Sequence, residues 1–203
     1  MILDNMVTIT KYNTSMNVIV LEEHGYESAL KGLALSYYRE GYDFKLWWTE
    51  DRASKAKKQL ETLAFRGGGH NKALESIVVW LLVTAPRSWW QEMDTYRVGI
   101  TKNSASSMHT LLKESVTEAN FAEGTAVALI DNLNKLIADK VDITTVKNNL
   151  PEGYLQTRQV CINYMSLQNI IKQRSTHRLK YWQVFCESIL AQVEHPELLV
   201  QPS

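Results

Sequence analysis

A run of polar side chains near the middle of the sequence has the residue types needed to bind an anionic ligand. Residues 94–97 (Asp-Thr-Tyr-Arg) follow an apolar stretch and lead into the hydroxyl-rich residues 101–107. Serine, threonine and asparagine side chains, together with backbone N–H groups, bind phosphate or carbonyl oxygens, and an arginine adds a planar two-pronged donor. A solvated loop that carries helix caps explains the same composition, so the residues alone leave both interpretations open.

A second polar group brackets a predicted helix. Asn163 precedes the apolar positions Leu167, Ile170 and Ile171, and Arg174 follows eleven residues after Asn163. Asparagine is a favoured N-cap, and a cation near a helix C-terminus is stabilised by the helix dipole. Taken alone, this pair therefore has a structural explanation as good as a functional one.

Several common catalytic and cofactor motifs are missing from the sequence. Cys161 and Cys186 are far apart and the five histidines are scattered, so we expect no metal site. There is no Walker loop, dinucleotide fingerprint or nucleophile elbow. The three glycines at 67–69 follow a predicted helix rather than a strand, which favours a flexible hinge. Both cysteines lie in apolar stretches and are predicted to be buried thiols.

Composition narrows the classes of protein further. The 203 residues carry a formal net charge of zero, which argues against general nucleic-acid binding because such proteins need a basic excess to displace counterions. The longest apolar run, residues 77–85, is far shorter than the roughly 20 residues that cross a bilayer. The length fits a single domain, residues 1–203. With two cysteines and no signal peptide, we expect a cytoplasmic protein.

Short β-branched runs predict the strands of a sheet. Residues 7–10 and 17–21 are separated by polar residues and are predicted to be two strands joined by a turn. Residues 77–84 form a longer continuous run closed by Pro86, which predicts a central strand covered on both faces. Pro86 suits the first turn of a helix, so we expect a helix to follow this strand directly.

Apolar residues at helical spacing predict amphipathic helices through the rest of the chain. Most of these apolar positions are expected to form the core, because helical spacing needs no ligand to explain it. The predicted helices cover about residues 26–37, 51–65, 86–97, 126–137, 163–174 and 182–193.

The order of these segments resembles that of the flavin-dependent thymidylate synthases. That family has Gly-His followed by Glu, an apolar strand, a helix, a flavin-binding loop, Asn-x-x-Ser-Leu and a final arginine. The resemblance covers residues 70–107 and 158–188. The matching residues here are Gly69, His70, Glu75, the run 77–84, Pro86, 89–97, 101–107, Asn163, Ser166, Leu167 and Arg174.

The family's hallmark, Arg-His-Arg and a serine after seven further residues, is only partly present. Aligned without gaps, the triplet falls on residues 95–97 (Thr-Tyr-Arg), so only its last arginine is kept. The serine matches Ser106 once one extra residue is allowed in the loop. The family's next arginine, which holds the nucleotide phosphate, aligns with Met108 here. A glutamine in the preceding helix of the family aligns with Glu92, beside Gln91.

The resemblance implies an α+β fold, a mixed β-sheet flanked by helices, assembled as a homotetramer with flavin and nucleotide at subunit interfaces. It implies FAD as the cofactor, NADPH and methylenetetrahydrofolate as cosubstrates, and dUMP or a related pyrimidine deoxynucleotide as the substrate. A one-carbon unit is then transferred to the base without a protein nucleophile, and the protein supplies orientation and electrostatics.

The resemblance also implies roles for individual residues. Arg174 is predicted to be the catalytic arginine that recognises or activates the base. The remaining predicted contacts are to the nucleotide from Ser106, Arg158, Gln91 and Glu92, and to the flavin from His70, Arg97 and Asn163.

Two other hypotheses fit the same residues. Loss of the first two triplet residues, Thr95 and Tyr96 here, favours a non-catalytic protein that binds a nucleotide or a protein partner, as can arise in viral genomes. An altered enzyme acting on another pyrimidine, or transferring another group, is the third hypothesis. The adjacent Trp89 and Trp90 fit a subunit interface or the core of one chain equally well.

Overall fold

Four strands form one antiparallel sheet in the computed structural model, which describes residues 14–201. The strands are β1 (Asn17–His24), β2 (Val78–Pro86), β3 (Ile100–Ser104) and β4 (Leu155–Asn163). Their spatial order is β1-β2-β4-β3, and each neighbouring pair is antiparallel. The predicted α+β class is confirmed. Instead of the expected mixed sheet, each described neighbouring pair is antiparallel. The chain crosses over between β2 and β3, so these two strands run in the same direction, and β4 lies between them, antiparallel to both.

Nine α-helices accompany the sheet within residues 14–201. Six of them lie where helical spacing predicts a helix, and the other three are short helices outside the predicted ranges. The predicted strand at 17–21 is confirmed as part of β1, whereas the one at 7–10 lies outside the described residues. The helices are α1 (Tyr26–Ala34), α2 (Phe44–Trp47), α3 (Glu50–Leu63), α4 (Arg87–Met93), α5 (Ser107–Thr110), α6 (Val127–Ala138), α7 (Ile143–Asn148), α8 (Tyr164–Arg174) and α9 (Lys180–Gln192).

Strand β2 is buried on one face only, so the prediction of a strand covered on both faces was wrong for the single chain. Val79, Leu81 and Val83 are fully buried under the helices, while the alternate residues are half-buried. The alternate residues continue onto β4, where Thr84 and Thr157 share a hydrogen bond of 2.8 Å. We call this second surface the outer face; it consists of Val78, Trp80, Leu82 and Thr84 on β2 with Thr157, Gln159 and Cys161 on β4.

Aromatic side chains from α4 and α9 fill the core beneath the sheet. Trp89 and Trp90 are almost completely buried, and the Trp89 ring lies 4.9 Å from that of Trp182 and 5.4 Å from that of Phe185. The tryptophan pair therefore belongs to the core of the chain itself. Cys186 is also buried here, and burial raises the pKa of its thiol to about 12, whereas Cys161 is only half-buried on the outer face.

A second, smaller hydrophobic cluster lies beside this core and includes α6 and α7. Leu133 and Val146 are its fully buried centre, and Phe121 pairs with Tyr154 in an isolated β-bridge just before β4. Residues of α7 and of the N-terminal half of β4 line the same cleft, which is described below. Across residues 14–201 no helix is long and apolar enough to cross a bilayer.

Candidate functional site

Helix α4 leaves the end of β2 and carries side chains toward two different arginines. A helix follows β2 directly, as predicted, but Pro86 is the last residue of β2 and the N-cap of α4 rather than a residue of its first turn. The helix ends at Met93, four residues before the predicted end at Arg97. Thr95 accounts for the early end, because its hydroxyl donates to the Glu92 carbonyl and competes with continued helical bonding.

Arg174, at the end of α8, is held in place by Glu92, Tyr96 and Trp182. Its Nη1 lies 3.1 Å from Glu92 Oε2, and its Nε donates to the Tyr96 hydroxyl at 2.8 Å. Its guanidinium also lies 4.8 Å from the ring centre of Trp182. The indole N–H of Trp182 donates to the same Glu92 oxygen at 2.9 Å, so one carboxylate orients both the arginine and the ring beneath it.

Tyr96 occupies the position of the histidine in the family triplet and supports Arg174 directly. Its hydroxyl accepts from Arg174 Nε and donates to Gln173 Oε1 at 2.9 Å. Its ring packs edge-on against Trp182 at 5.8 Å. His177 Nε2 lies 2.9 Å from Arg174 Nη1, which adds a histidine to the surroundings of this arginine.

Arg158 is held on the other side of α4. Its Nη1 donates to both oxygens of Asp94, at 2.9 and 3.0 Å, and its guanidinium lies 4.3 Å from the ring centre of Trp90. Lys102 Nζ lies 3.1 Å from the same carboxylate. Partial burial works against the charged form of Asp94, but hydrogen bonds and attraction from Arg158 and Lys102 outweigh it and lower the pKa of Asp94.

A cleft of about 380 Å³ opens beside Arg158, between α4, β4 and α7. It contains Gln91 and Arg158, two of the predicted nucleotide contacts, and also Arg87 and Lys147, which sequence reasoning missed. Arg87 could have been noticed as the first residue after the strand-ending proline, whereas nothing near Lys147 in the sequence points to a site. The lining residues are Arg87, Trp90, Gln91, Asp94, Ser107, Lys147, Asn148, Leu150, Gln156 and Arg158.

Asn163 and Ser166 hold the turn that follows Arg97. The Asn163 side chain accepts from the Ser166 backbone N–H at 2.9 Å, which confirms the predicted N-cap of α8. Ser166 Oγ donates to the Val98 carbonyl at 2.6 Å, and Asn163 N donates to the Gly99 carbonyl at 3.1 Å. Gly99 has φ +66°, and a Cβ there would lie 2.4 Å from the Asn163 amide nitrogen. Only glycine fits this close approach.

A group of side chains near the end of β1 lies outside this region. Glu23, Glu194 and His195 have potential metal-ligand atoms within 4.8 Å of one another, a grouping that the sequence did not suggest. Both oxygens of Glu23 are already used, by the Tyr164 hydroxyl at 2.6 Å and the Glu194 backbone N–H at 2.8 Å. The group is therefore explained as a hydrogen-bonded cluster that joins β1, α8 and the segment after α9.

Comparison with known proteins identifies the family. A model of the thymidylate synthase complementing protein family matches residues 22–195. The chain belongs to this family. No curated protein sequence matches it significantly.

The fold of this family member is shared with solved structures of low sequence identity. A flavin-dependent thymidylate synthase ThyX from Helicobacter pylori, complexed with FAD and dUMP, superposes with a TM-score of 0.75 at 20% identity, covering 90% of this chain and 97% of that one. A second structure of ThyX from the same organism, also with FAD and dUMP, gives 0.74 at 20% identity, covering 92% and 97%. The UMP/dUMP methylase PolB from Streptomyces cacaoi, bound with 5-Br dUMP, gives 0.63 at 13%, covering 87% and 88%.

The remaining predicted site residues of this family member lie apart from the two arginine networks. His70 is exposed in the turn before Lys72–Ser76, and Arg97 is exposed beside the Val98-Gly99 turn. Ser106 is the N-cap residue of α5, and its neighbour Ser107 is the serine that lines the cleft. Within residues 14–201, the side chains of these three predicted contacts make no hydrogen bond or ion pair to one another or to either arginine.

Proposed function

We propose that this chain is a thymidylate synthase-like enzyme that transfers a one-carbon unit to a pyrimidine deoxynucleotide, with dUMP as the first candidate. The observation that carries the proposal is the fixed position of Arg174 on Glu92, Tyr96 and Trp182. An arginine side chain has many rotamers, and holding one in a single geometry costs conformational entropy. Such preorganisation is expected where the guanidinium must meet a ligand in a defined orientation.

The charge of Arg174 is already balanced within the protein, which favours a neutral ligand group at this position. Glu92 already balances the guanidinium at 3.1 Å, so a phosphate placed here would also face the carboxylate. The carbonyl edge of a pyrimidine base suits the remaining donors better. We therefore assign Arg174 to base recognition or activation, and Glu92 to holding it in place.

The other predicted nucleotide contacts lie in or near the cleft. Gln91 and Arg158 line it. Gln91 lies on α4, the helix that also carries Glu92, and Arg158 lies on β4. We assign Gln91 and Arg158 to the sugar and phosphate of the nucleotide. Ser106 belongs to the same group by its position at the start of α5, next to Ser107 in the cleft wall.

The exposed His70 and Arg97 fit a flavin cofactor. Neither side chain is used by the described part of the fold, so both are free to bind FAD, and the anionic diphosphate suits Arg97. Asn163 belongs to this group through the turn that it holds beside Arg97. Bound FAD would supply the redox chemistry, with NADPH and methylenetetrahydrofolate as the cosubstrates of the proposed reaction.

The outer face supports assembly of this enzyme as a homo-oligomer, proposed as a tetramer. Val78, Trp80 and Leu82 are apolar but only half-buried in the single chain. A contiguous apolar strip of this kind marks a protein–protein contact. Burying it against another copy would satisfy the pattern that predicted a strand covered on both faces. We propose a cytoplasmic protein.

A non-catalytic nucleotide-binding protein is the second candidate, favoured by the triplet positions. The Thr95 hydroxyl is bonded to the Glu92 carbonyl, and the Tyr96 hydroxyl to Arg174 and Gln173, so neither replaces a free cation for flavin. A variant enzyme acting on UMP or another pyrimidine is supported by the likeness to PolB.

The deciding experiment is the absorbance spectrum of concentrated protein before and after adding FAD and desalting. The proposed enzyme retains a flavin spectrum, and its reduced flavin is then reoxidised in a dUMP-dependent assay that is repeated with UMP. Protein lacking Arg97, as Arg97→Ala, should retain less flavin, with the exposed Arg39→Ala as a matched control. Colourless protein that retains no FAD but is stabilised by nucleotides would instead establish the second candidate.

A further inference from the structure

The cleft beside α4 contains cations that the fold itself does not balance. Of its three basic residues, Arg158 is paired with Asp94 at 2.9 Å. Lys147 Nζ makes no hydrogen bond or ion pair with any other residue in the range 14–201, although the side chain is half-buried. Lys147 is therefore available to bind an anion.

Arg87 is the second cation that is available to a ligand. Its nearest carboxylate oxygen, Glu152 Oε1, lies 3.9 Å away, at the outer limit of an ion pair. The other oxygen of Glu152 accepts from Gln91 Nε2 at 3.0 Å. Within residues 14–201, the Arg87 side chain also donates a 3.3 Å hydrogen bond to the Leu150 carbonyl.

The lining of the cleft favours a phosphate group over an aromatic base. The face of Trp90, the aromatic ring in its wall, is already covered by the Arg158 guanidinium at 4.3 Å. Asn148, Gln91 and Ser107 supply further polar atoms. Charged and neutral donors around a small volume are the usual composition of a phosphate site.

We propose that Arg87 and Lys147 bind the phosphate of the nucleotide, replacing the loop arginine whose aligned position is Met108 in this chain. The identity of the ligand as a nucleotide rests on the proposed function. The assignment of its phosphate to this cleft rests on the residues that line the cleft. Lys147 belongs to α7, so a bound phosphate joins the small α6–α7 cluster to β4 and α4. Phosphate binding then also stabilises the contact between the two hydrophobic clusters.

The test compares dUMP, deoxyuridine and inorganic phosphate by isothermal titration calorimetry on wild type, Lys147→Gln, Arg87→Gln and Lys135→Gln. The exposed Lys135 on α6 undergoes the same charge change and is the matched control. Loss of one charge-assisted contact should weaken dUMP and phosphate binding about tenfold in the first two variants. Deoxyuridine affinity and the Lys135→Gln variant should remain within about twofold of wild type, a change of under half a kcal/mol.

The outcomes separate this inference from the proposed function. Phosphate binding that depends on Lys147, without any binding of dUMP, would support the anion site and reject the proposed substrate. If dUMP binds equally well to wild type and both cleft variants, the phosphate assignment is wrong while the proposed function stands. Wild-type protein that binds neither dUMP nor phosphate would overturn the inference.

Discussion

Glu92 Oε2 accepts from both Arg174 Nη1, at 3.1 Å, and Trp182 Nε1, at 2.9 Å. One carboxylate oxygen thus connects the last residue of α8, the core of α9 and the helix that follows β2. Removing either partner of such a pair leaves the other partly buried and unpaired, which costs more than the net value of the contact. The arrangement makes the position of Arg174 sensitive to changes in α4.

Replacing Arg174 by Ala should abolish nucleotide binding, with a loss of at least about 100-fold in dUMP affinity, because a charge-assisted contact and its preorganisation are both removed. The neighbouring Arg178 is exposed and offers a matched control, Arg178→Ala. Calorimetric titration with dUMP measures both. Unchanged dUMP affinity in Arg174→Ala would contradict the assignment of this arginine to base recognition or activation.

Tyr96→Phe should remove a hydrogen bond that positions Arg174 while leaving the aromatic packing intact. The ring still packs on Trp182, but the acceptor for Arg174 Nε and the donor to Gln173 are lost. We expect a loss of about 0.5–1.5 kcal/mol in stability and a fall of about tenfold in kcat at little change in KM for the flavin. Steady-state kinetics and urea unfolding measure the two effects, with Tyr37→Phe, at 72% exposure, as the control.

Gly99→Ala should destabilise the fold by about 1–3 kcal/mol, because an L-residue at this positive φ is strained and its Cβ meets Asn163. Gly67 has open space around it and provides the control Gly67→Ala, which should change stability by less than about 1 kcal/mol. Urea denaturation curves give both free energies. Equal stability of the two variants would show that the Val98-Gly99 turn can relax.

Stability should fall at alkaline pH through Tyr164. Burial, then the hydrogen bond to Glu23, raise the pKa of Tyr164 well above its usual value, and burial raises that of Tyr181 to about 12. A raised folded pKa stabilises the protein fully below the unfolded pKa of about 10 and loses that contribution as pH rises through the folded pKa.

Tyr164→Phe should therefore flatten the loss of unfolding free energy between about pH 10 and 12. The same variant should cost about 1–3 kcal/mol at pH 7, because Glu23 and the His195 backbone N–H lose their partner. Denaturation curves across the pH range test both effects. A wild-type slope that persists in the variant would assign the alkaline loss to other groups.

Leu82→Glu should separate the proposed oligomer. The side chain lies on the outer face and is half-buried in one chain, so a carboxylate there is tolerated by the monomer but not by a dry contact between copies. Sedimentation should show a smaller species with an unchanged circular dichroism spectrum. Leu46→Glu, at a position 79% exposed, is the control and should leave the assembly intact.

Local sequence patterns predict the ends of helices and strands well where one residue sets the local backbone conformation. Pro86 marks the junction of β2 and α4, and Asn163 marks the start of α8, because each acts through bonds within its own segment. The end of α4 was predicted too late, since Thr95 has ordinary helical spacing and its competing bond is visible only in three dimensions.

The site itself is less predictable because its residues meet through the fold. Family resemblance selects Glu92 and Arg174, which the structure brings together, but no local pattern links Lys147 to Arg87. These two residues are sixty positions apart in the sequence, and only the fold brings them to the wall of one cleft. The sequence also does not reveal that only one face of β2 is buried within the chain. An apolar run has the same composition whether the second face of the strand is covered by a helix or by another copy of the chain.

Strand β4 continues into α8 without an intervening loop, since Asn163 ends the strand and Tyr164 begins the helix. Arg158 and Arg174 are therefore separated by one rigid stretch of backbone whose length is fixed. Each residue of an α-helix turns the chain by about 100° and advances it by about 1.5 Å. A single insertion or deletion between Tyr164 and Arg174 would swing Arg174 away from Glu92, so natural length variation should be excluded there and concentrated in the connections around α6 and α7.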